Sequence, residues 1–346
     1  MTSGTVSWLG LDVGGANIKA AHSSGLARSS AFELWKRPDE LAHEVAALAN
    51  TFPPYDRVAL TMTAELCDCY PTKAAGVREI LDAIVDAATG RPICVWGTDG
   101  RFHRMEEVRN EPRLAAAANW LALAMVAARL APRGPGLLID IGTTTTDLIP
   151  LLDGRVAARG RTDTERLQTG ELVYAGVRRT PVFALATQLL HRGLATGLAA
   201  ELFATTLDVY LTLGAIGPDP LDFSTADGRP ATVDRALERL ARMVGADRDD
   251  FTGEDAVSLS KDADETLLAR LAVASDRACL ATAGRPRCVI VAGSGEFLAR
   301  RLAGRVLGPG GTILGLQQAW GPVASVAGCA HALVVLAGEL SGDDPS

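Results

Sequence analysis

Two stretches of this chain share an order of residues suited to holding phosphate. Leu9 to Ala21 reads LGLDVGGANIKAA, and Leu137 to Gly154 reads LLIDIGTTTTDLIPLLDG. Each is an apolar run that ends in an aspartate, then a glycine turn, then a second apolar run. Asp12 matches Asp140 and Gly14 matches Gly142. A glycine turn between two strands offers backbone N–H groups to an anion, and Thr143 to Thr146 add hydroxyls. An acid at the strand end can hold a hydrated cation or a water. The second stretch closes on Asp153-Gly154, a strong hairpin signal. One such stretch is also how an ordinary hairpin reads. Two copies this far apart point to a duplicated fold with a ligand between its halves.

Three further stretches carry chemistry. Thr61-Met62-Thr63-Ala64-Glu65 puts polar groups at the C-terminal end of an apolar strand, where open α/β sheets bind ligands. Arg161 to Thr180, RTDTERLQTGELVYAGVRRT, is dense in charge and hydroxyls. A solvated loop would read similarly, but Asp163, Arg166, Glu171, Arg178 and Arg179 offer paired charges, and arginine forks suit phosphate or carboxylate. Gly293-Ser294-Gly295 stands between a strand and a helix, where a ligand can approach the backbone. The six cysteines include one C-x-C pair, Cys67 and Cys69, with no second pair nearby, and the five histidines have no ligand spacing. They read as buried thiols and ordinary imidazoles, not as a metal site.

The elements that must position these residues are read from the rest of the chain. Its 346 residues predict about two domains. Hydrophobic residues at 48% and charged ones at 22% suit a globular protein. The net charge of −7 argues against a nucleic-acid surface. No signal pattern opens the chain, and the longest apolar stretches carry polar interruptions unsuited to a membrane span. The expectation is a cytoplasmic protein acting on small molecules, with no nucleic acid and no membrane, and compatible with a homo-oligomer.

The first half, 1–134, reads as strands at Ser7 to Val13, the return of the hairpin and Ser30 to Trp35. A helix to about Asn50, a strand Arg57 to Met62, a helix Lys73 to Ala88, a strand Pro92 to Trp96 and a helix Pro112 to Leu130 come next. Pro132 to Pro135 is a natural hinge. The second half, 135–346, adds to its hairpin a strand Arg155 to Gly160 and a mostly helical stretch Leu194 to Leu213. Then come helices Arg235 to Val244 and Ala256 to Ala283, a strand Arg287 to Ala292 and a helix Glu296 to Leu307. A short strand Thr312 to Leu314 and a closing helix Val323 to Leu340 end the chain.

The motifs DVGG at Asp12, DIGTTTTD from Asp140 to Asp147 and VAGSG from Val291 to Gly295 resemble the two phosphate motifs and the adenosine motif of the actin/Hsp70/sugar-kinase superfold. That resemblance implies a duplicated, ribonuclease H-like α/β fold around a central cleft. More narrowly, LGLDVGGANIKAA, TMTAELCDCYPTKAAGV, DIGTTTTDLIP and RTDTERLQTGELVYAGVRRTPV resemble hydantoinase/oxoprolinase-related proteins linked to tetrahydromethanopterin C1 transfer. An archaeal branch of that family works in the methanofuran pathway. It joins an aminomethyl-furan methyl diphosphate to the phenol of a glutamylated tyramine and releases diphosphate. The resemblance implies a transferase making methanofuran or its analogue methylofuran.

Under that resemblance Gly14, Gly15, Asn17, Lys19, Gly142, Thr143, Thr144 and Thr145 would hold the diphosphate, and Asp12 and Asp140 would hold Mg²⁺ through waters. Asp147 or Glu65 would take the phenol proton, and Lys73, with Arg166, Arg178 and Arg179, would grip phosphate or the amino-acid carboxylate. Asp163, Arg166, Thr169, Glu171, Arg178 and Arg179 would contact the substrates. Gly293, Ser294 and Gly295 could bind a nucleotide; ATP fits such a cradle, but its consumption is not expected. The rival reading is an ATP-dependent kinase or hydantoinase-like hydrolase on the same fold. A nucleotide-driven sensor is a third, and it lacks the long substrate-binding appendage of the Hsp70 kind.

Overall fold

The computed structural model describes residues 6–282 and 284–340. Its first sheet grows from the first hairpin. Strand β1 (Trp8–Val13) pairs antiparallel with β2 (Asn17–His22), which pairs with β3 (Ala27–Ala31). After helix α1 (Leu41–Ala49), β4 (Arg57–Met62) returns parallel to β1, with Asp12 opposite Thr61. Helix α2 (Lys73–Ala88) leads to β5 (Ile93–Trp96), and β6 (Phe102–Arg104) adds an edge, giving the order β3-β2-β1-β4-β5-β6. Helices α3 (Met105–Asn110) and α4 (Asn119–Ala128) come after it.

All six residues of β1 are buried, as expected of a strand covered on both faces. Leu9, Leu11 and Val13 pack with α1 and α2, whereas Trp8 packs with α4 and the last helix of the chain.

The second sheet repeats this plan. Strands β7 (Pro135–Ile141), β8 (Thr146–Leu152), β9 (Arg155–Val156) and β10 (Leu172–Val173) flank helix α5 (Asp163–Thr169). A separate hairpin, β11 (Gln188–His191) with β12 (Leu194–Gly197), precedes helices α6 (Thr206–Thr212), α7 (Val233–Met243) and α8 (Gly253–Ala278). Then come β13 (Cys288–Ala292), α9 (Glu296–Val306), β14 (Thr312–Gly315), α10 (Leu316–Val326) and α11 (Gly328–Ala337). The sheet order is β10-β8-β7-β13-β14, which matches β3-β2-β1-β4-β5 strand for strand.

By packing, one compact unit comprises the described residues up to Leu138, Ile149–Arg166 and the chain from Leu314 onward. The other comprises Ile139–Leu148 and Leu167–Ile313. The first unit therefore includes α11, which lies so close on β1 that a Cβ at Gly10 would stand 2.2 Å from the Ala330 carbonyl oxygen. Among the described residues no single helix is long and apolar enough to cross a membrane; α10 and α11 qualify only as a pair bent by 96°.

Several sequence expectations are corrected. The helix expected from Pro112 to Leu130 is a 3₁₀ turn, Pro112–Leu114, then a break at Ala117 (φ 51°) and α4. The stretch from Leu194 to Leu213 holds a strand as well as a helix, because Arg192 and Gly193 both take positive φ (51° and 77°) and fold β11 onto β12 as a two-residue hairpin turn. The closing helix is two helices that begin earlier, interrupted by Gly321-Pro322, with Gly321 at φ 84°, and broken again at Ala327. The strand expected from Arg155 to Gly160 shrinks to two residues, and the third strand of the first half lies at Ala27–Ala31 instead of Ser30 to Trp35. Helix α8 starts earlier than Ala256, at a capping box in which the Thr252 hydroxyl and the Asp255 carboxylate exchange hydrogen bonds with backbone N–H groups. It ends at Ala278; Ala283, the expected end, lies outside the described residues.

Candidate active site

At the C-terminal end of β1, Asp12 stands opposite Lys19 on β2 and Thr61 on β4. In-register neighbours share a face of the sheet, so carboxylate, ammonium and hydroxyl lie side by side. Asp12 is 4% exposed. Burial pushes its carboxyl up from the usual range; the Lys19 charge and contacts from the Asn119 amide and the Cys329 thiol oppose the shift. The Asn119 Nδ2 to Asp12 Oδ1 distance is 3.4 Å. The turn beyond is closed by the Gly14 N–H, which donates to the Asn17 carbonyl at 3.0 Å. A Cβ at Gly15 would come within 2.8 Å of the Cys67 Sγ, so this position has no room for a side chain unless Cys67 moves.

The chain leaving β4 stays tied to β1, because the Thr63 N–H donates to the Val13 carbonyl at 2.9 Å. One 3₁₀ turn, Ala64–Leu66, then carries Glu65 inward. Glu65 is 1% exposed, and neither of its carboxylate oxygens has a hydrogen-bond partner among the described residues. Burial raises its pKa to about 7; the nearby backbone N–H groups of Glu65 and Ala117 and the Lys73 ammonium only partly offset the rise, and the Asp163 carboxylate adds to it. Helix α2 packs tightly against this turn: a Cβ at Gly76 would stand 2.7 Å from the Glu65 carbonyl oxygen.

Lys73, in the first turn of α2, pairs with Asp163 of α5 at 3.2 Å. One turn further along α5, Arg166 is 2% exposed, with its guanidinium 4.1 Å from the Trp120 ring centroid. That distance is within the range of a cation–π contact. Arg166 is an interior arginine, stacked on a tryptophan. Gly160 makes room for it, since a Cβ there would stand 2.7 Å from the Arg166 backbone nitrogen. Asp12, Lys19, Glu65, Lys73, Asp163 and Arg166 thus all belong to the first unit. Asn119 and Trp120 went unread in the sequence. Their signal was an Asn-Trp pair in a run otherwise of alanine and leucine, AAAANWLALA.

The second hairpin has the same turn. The Gly142 N–H donates to the Thr145 carbonyl at 2.8 Å. The segment after β10 is laced to it: the Val177 N–H donates to the Gly142 carbonyl at 3.1 Å, and those of Arg178 and Arg179 donate to the Thr143 carbonyl at 3.1 and 3.0 Å. The Arg178 side chain pairs with Asp222, and Arg179 is exposed. Asp147 lies in β8 opposite Leu172 of β10. Thr169 is half-buried at the end of α5, and Glu171 is fully buried.

Gly293 (φ 88°) and Gly295 are accounted for by packing. A Cβ at Gly293 would stand 2.2 Å from the Ile141 carbonyl oxygen and 2.3 Å from Asp140 Oδ1, and the Gly295 N–H donates to the Ile141 carbonyl at 2.8 Å. These glycines let the chain after β13 press against the end of the Asp140 strand. Gly293 and Ser294 are exposed and Gly295 is buried.

Among the described residues no three His, Cys, Asp or Glu side chains converge as a metal site. Asp12 and the Thr61 hydroxyl, buried without a hydrogen-bond partner, are hard oxygen donors on one face of the sheet. They suit Mg²⁺ that keeps waters and takes most of its shell from substrate oxygens.

Two sheets of matching strand order, each opened by an Asp-x-Gly hairpin, define the actin/Hsp70/sugar-kinase type of duplicated α/β fold. A nucleotide-free acetone carboxylase structure, described under ATP-dependent acetone carboxylation, shares it with a TM-score of 0.54 at 10% identity. The match covers 95% of this chain and 70% of that one. Residues 56–337 match the hydantoinase/oxoprolinase family, and the chain belongs to that family. A protein of Methanocaldococcus jannaschii, named (4-{4-[2-(gamma-L-glutamylamino)ethyl]phenoxymethyl}furan-2-yl)methanamine synthase, is 40% identical over 244 residues, 70% of this chain and 72% of that one. A protein of the same name from Methanococcus vannielii is 35% identical over 124 residues, 36% of this chain and 55% of its own. Both relatives are synthases, and the chain is an enzyme.

Proposed function

We propose that this enzyme acts in the biosynthesis of a methanofuran-type cofactor. It joins an aminomethyl-furan methyl diphosphate to a glutamylated tyramine-type phenol and releases diphosphate. The observation that carries the reading is the 40% identity to a synthase whose named product contains a phenoxymethyl-furan ether. An ether of that kind takes its oxygen from a phenol and its methylene from the furan.

The methylene–oxygen bond of the diphosphate ester breaks, and its electron pair leaves with the diphosphate. The furan ring spreads the positive charge left on the methylene, and the phenolic oxygen forms the new bond there. Little covalent work remains for the protein. It must hold the leaving charge and keep water from the cation. Lys19 and the turn from Gly14 to Asn17 are proposed for the diphosphate, and the turn from Gly142 to Thr145, with its threonine hydroxyls, is likewise proposed as a phosphate-binding turn. Asp12 and Asp140 are the proposed anchors for Mg²⁺, which when bound would neutralise diphosphate charge. Lys73, Arg166, Arg178 and Arg179, with Asp163, Thr169 and Glu171 as their polar company, are proposed for the substrates' charged groups.

Incubation of the purified enzyme with the furan diphosphate, γ-glutamyltyramine and Mg²⁺ tests this. The expected result is the aryl ether and one diphosphate per ether, without ATP. ADP release in step with product would decide for an ATP-consuming enzyme instead.

A further inference from the structure

We infer that Glu65 is the general base that takes the proton from the phenolic acceptor, in an interior position beside the Lys73–Asp163 ion pair. The inference rests on the ether-forming reading above and assigns the base within it.

Among the described residues neither Glu65 oxygen has a well-formed hydrogen bond, only the nearby Glu65 and Ala117 N–H groups. A buried carboxylate so placed is costly, and proteins keep few such groups without a use. Here the sequence surrounds the acid with specific supports instead of removing it. Gly76 admits α2 against its backbone, and the Thr63 N–H fixes the strand end before it. The missing hydrogen-bond partner must bring a donor. A phenol O–H is such a donor, and it is the one proton the ether-forming step must lose.

A general base works best when its pKa lies near the working pH, and burial brings Glu65 to about 7. The charged groups acting on it are Lys73 from α2 and Asp163 from α5, with Arg166 one turn beyond. Lys73 stabilises the carboxylate before the transfer, and the ion pair with Asp163 keeps that help partial. In the step itself the phenolic oxygen forms its bond to the furan methylene, the diphosphate leaves with its electron pair, and the proton moves from the phenol to a Glu65 oxygen. Solvent then recovers the proton. Asp147, the other acid considered, lies in β8 opposite Leu172 in the second unit.

The test is ether formation by the full chain across pH, with γ-glutamyltyramine and with its ring-nitrated analogue, a far more acidic phenol. Wild type should show kcat/KM for γ-glutamyltyramine rising below about pH 7 and levelling above it. Glu65→Gln should lose about a hundredfold or more and lose that inflection. The deficit should shrink with the nitrated phenol, which ionises without help, and Glu65→Asp should keep part of the rate and the inflection. A structural role alone would lower both phenols equally. If Glu65→Gln keeps the wild-type profile, or its loss is the same for both phenols, Glu65 is not the base while the ether-forming function stands. If wild type makes no ether from either phenol, the functional reading falls and this assignment with it.

Discussion

The chain after β4 and the chain after β13 occupy the same place in two sheets of the same order, yet they are filled in opposite ways. After β4 comes Thr63-Ala64-Glu65, which buries an ionisable acid whose carboxylate oxygens, among the described residues, have only the weak company of the Glu65 and Ala117 N–H groups. After β13 comes Gly293-Ser294-Gly295, which exposes two residues and brings bare backbone against the Asp140 strand. The hairpin turns that precede them close with the same bond, Gly14 to Asn17 and Gly142 to Thr145. The two halves therefore share the turn, while the strand ends beside it differ. One side carries a group that can move a proton, and the other carries none at that place.

The largest expected effect tests the part the two sides still share. Asp12→Asn and Asp140→Asn each remove a full charge while keeping volume, and each should lower kcat by about a hundredfold to a thousandfold with the fold intact. Circular dichroism and magnesium titration of turnover check this. A double variant with wild-type rate and unchanged magnesium dependence would falsify the proposed metal role.

Next is the contrast itself, read as stability. The folded-state pKa of Glu65 is raised, so the folded protein holds a proton that the unfolded chain has lost. Stability therefore falls as pH rises from the ordinary glutamate value of 4.5 to about 7. Glu65→Gln cannot ionise and escapes that loss. It should match wild type near pH 5 and exceed it at about pH 8 by roughly 2–4 kcal/mol, visible as a Tm gap that opens with pH. A Tm difference independent of pH would show that Glu65 ionises as an exposed acid does.

A smaller effect separates arginines from the glycine turn. Arg166→Ala and Arg179→Ala should each cost about tenfold to a hundredfold in kcat/KM, against less than that for Ser294→Ala. Arg166→Ala should also lower stability, because it uncovers the Trp120 ring, whereas exposed Arg179 should not. A larger loss at Ser294 than at either arginine would turn the comparison round and favour a nucleotide on the second side.

The smallest concerns the break before α4. Ala117→Gly relieves a left-handed alanine but loosens the unfolded chain, so the net gain should be only about 0.5–1 kcal/mol by denaturant unfolding. A loss of stability would mean that the alanine methyl is needed beside Glu65.

Most of the scaffold was legible because local signals and global packing agree there. Asp-x-Gly between apolar runs marked both hairpins, and the Lys73 helix and the Glu296 helix lie where apolar periodicity put them. The misses have one cause, contacts between residues distant in sequence. No local rule breaks an alanine run at Ala117; the break precedes Asn119 and Trp120, which reach Asp12 and Arg166. That Arg166 stacks on Trp120 could not be read from either residue's neighbours in sequence. The Gly293-Ser294-Gly295 turn was legible as a close backbone approach, but its target, the Ile141 carbonyl, was not. Glu65 was recognised as a candidate from its place at a strand end, but its burial could not be read without α2 and α5.

The return of α11 to β1 sets an order of assembly. Asp12 leaves the ribosome long before Cys329, whose thiol reaches it, and Gly10 long before Ala330, which seals it. The entire second unit is synthesised in the interval. A nascent chain can thus complete the later unit while the earlier one still lacks a wall. The buried aspartate is enclosed only once α11 has been made, so a message interrupted before that helix yields a chain whose first hairpin is present but whose Asp12 is open on one side.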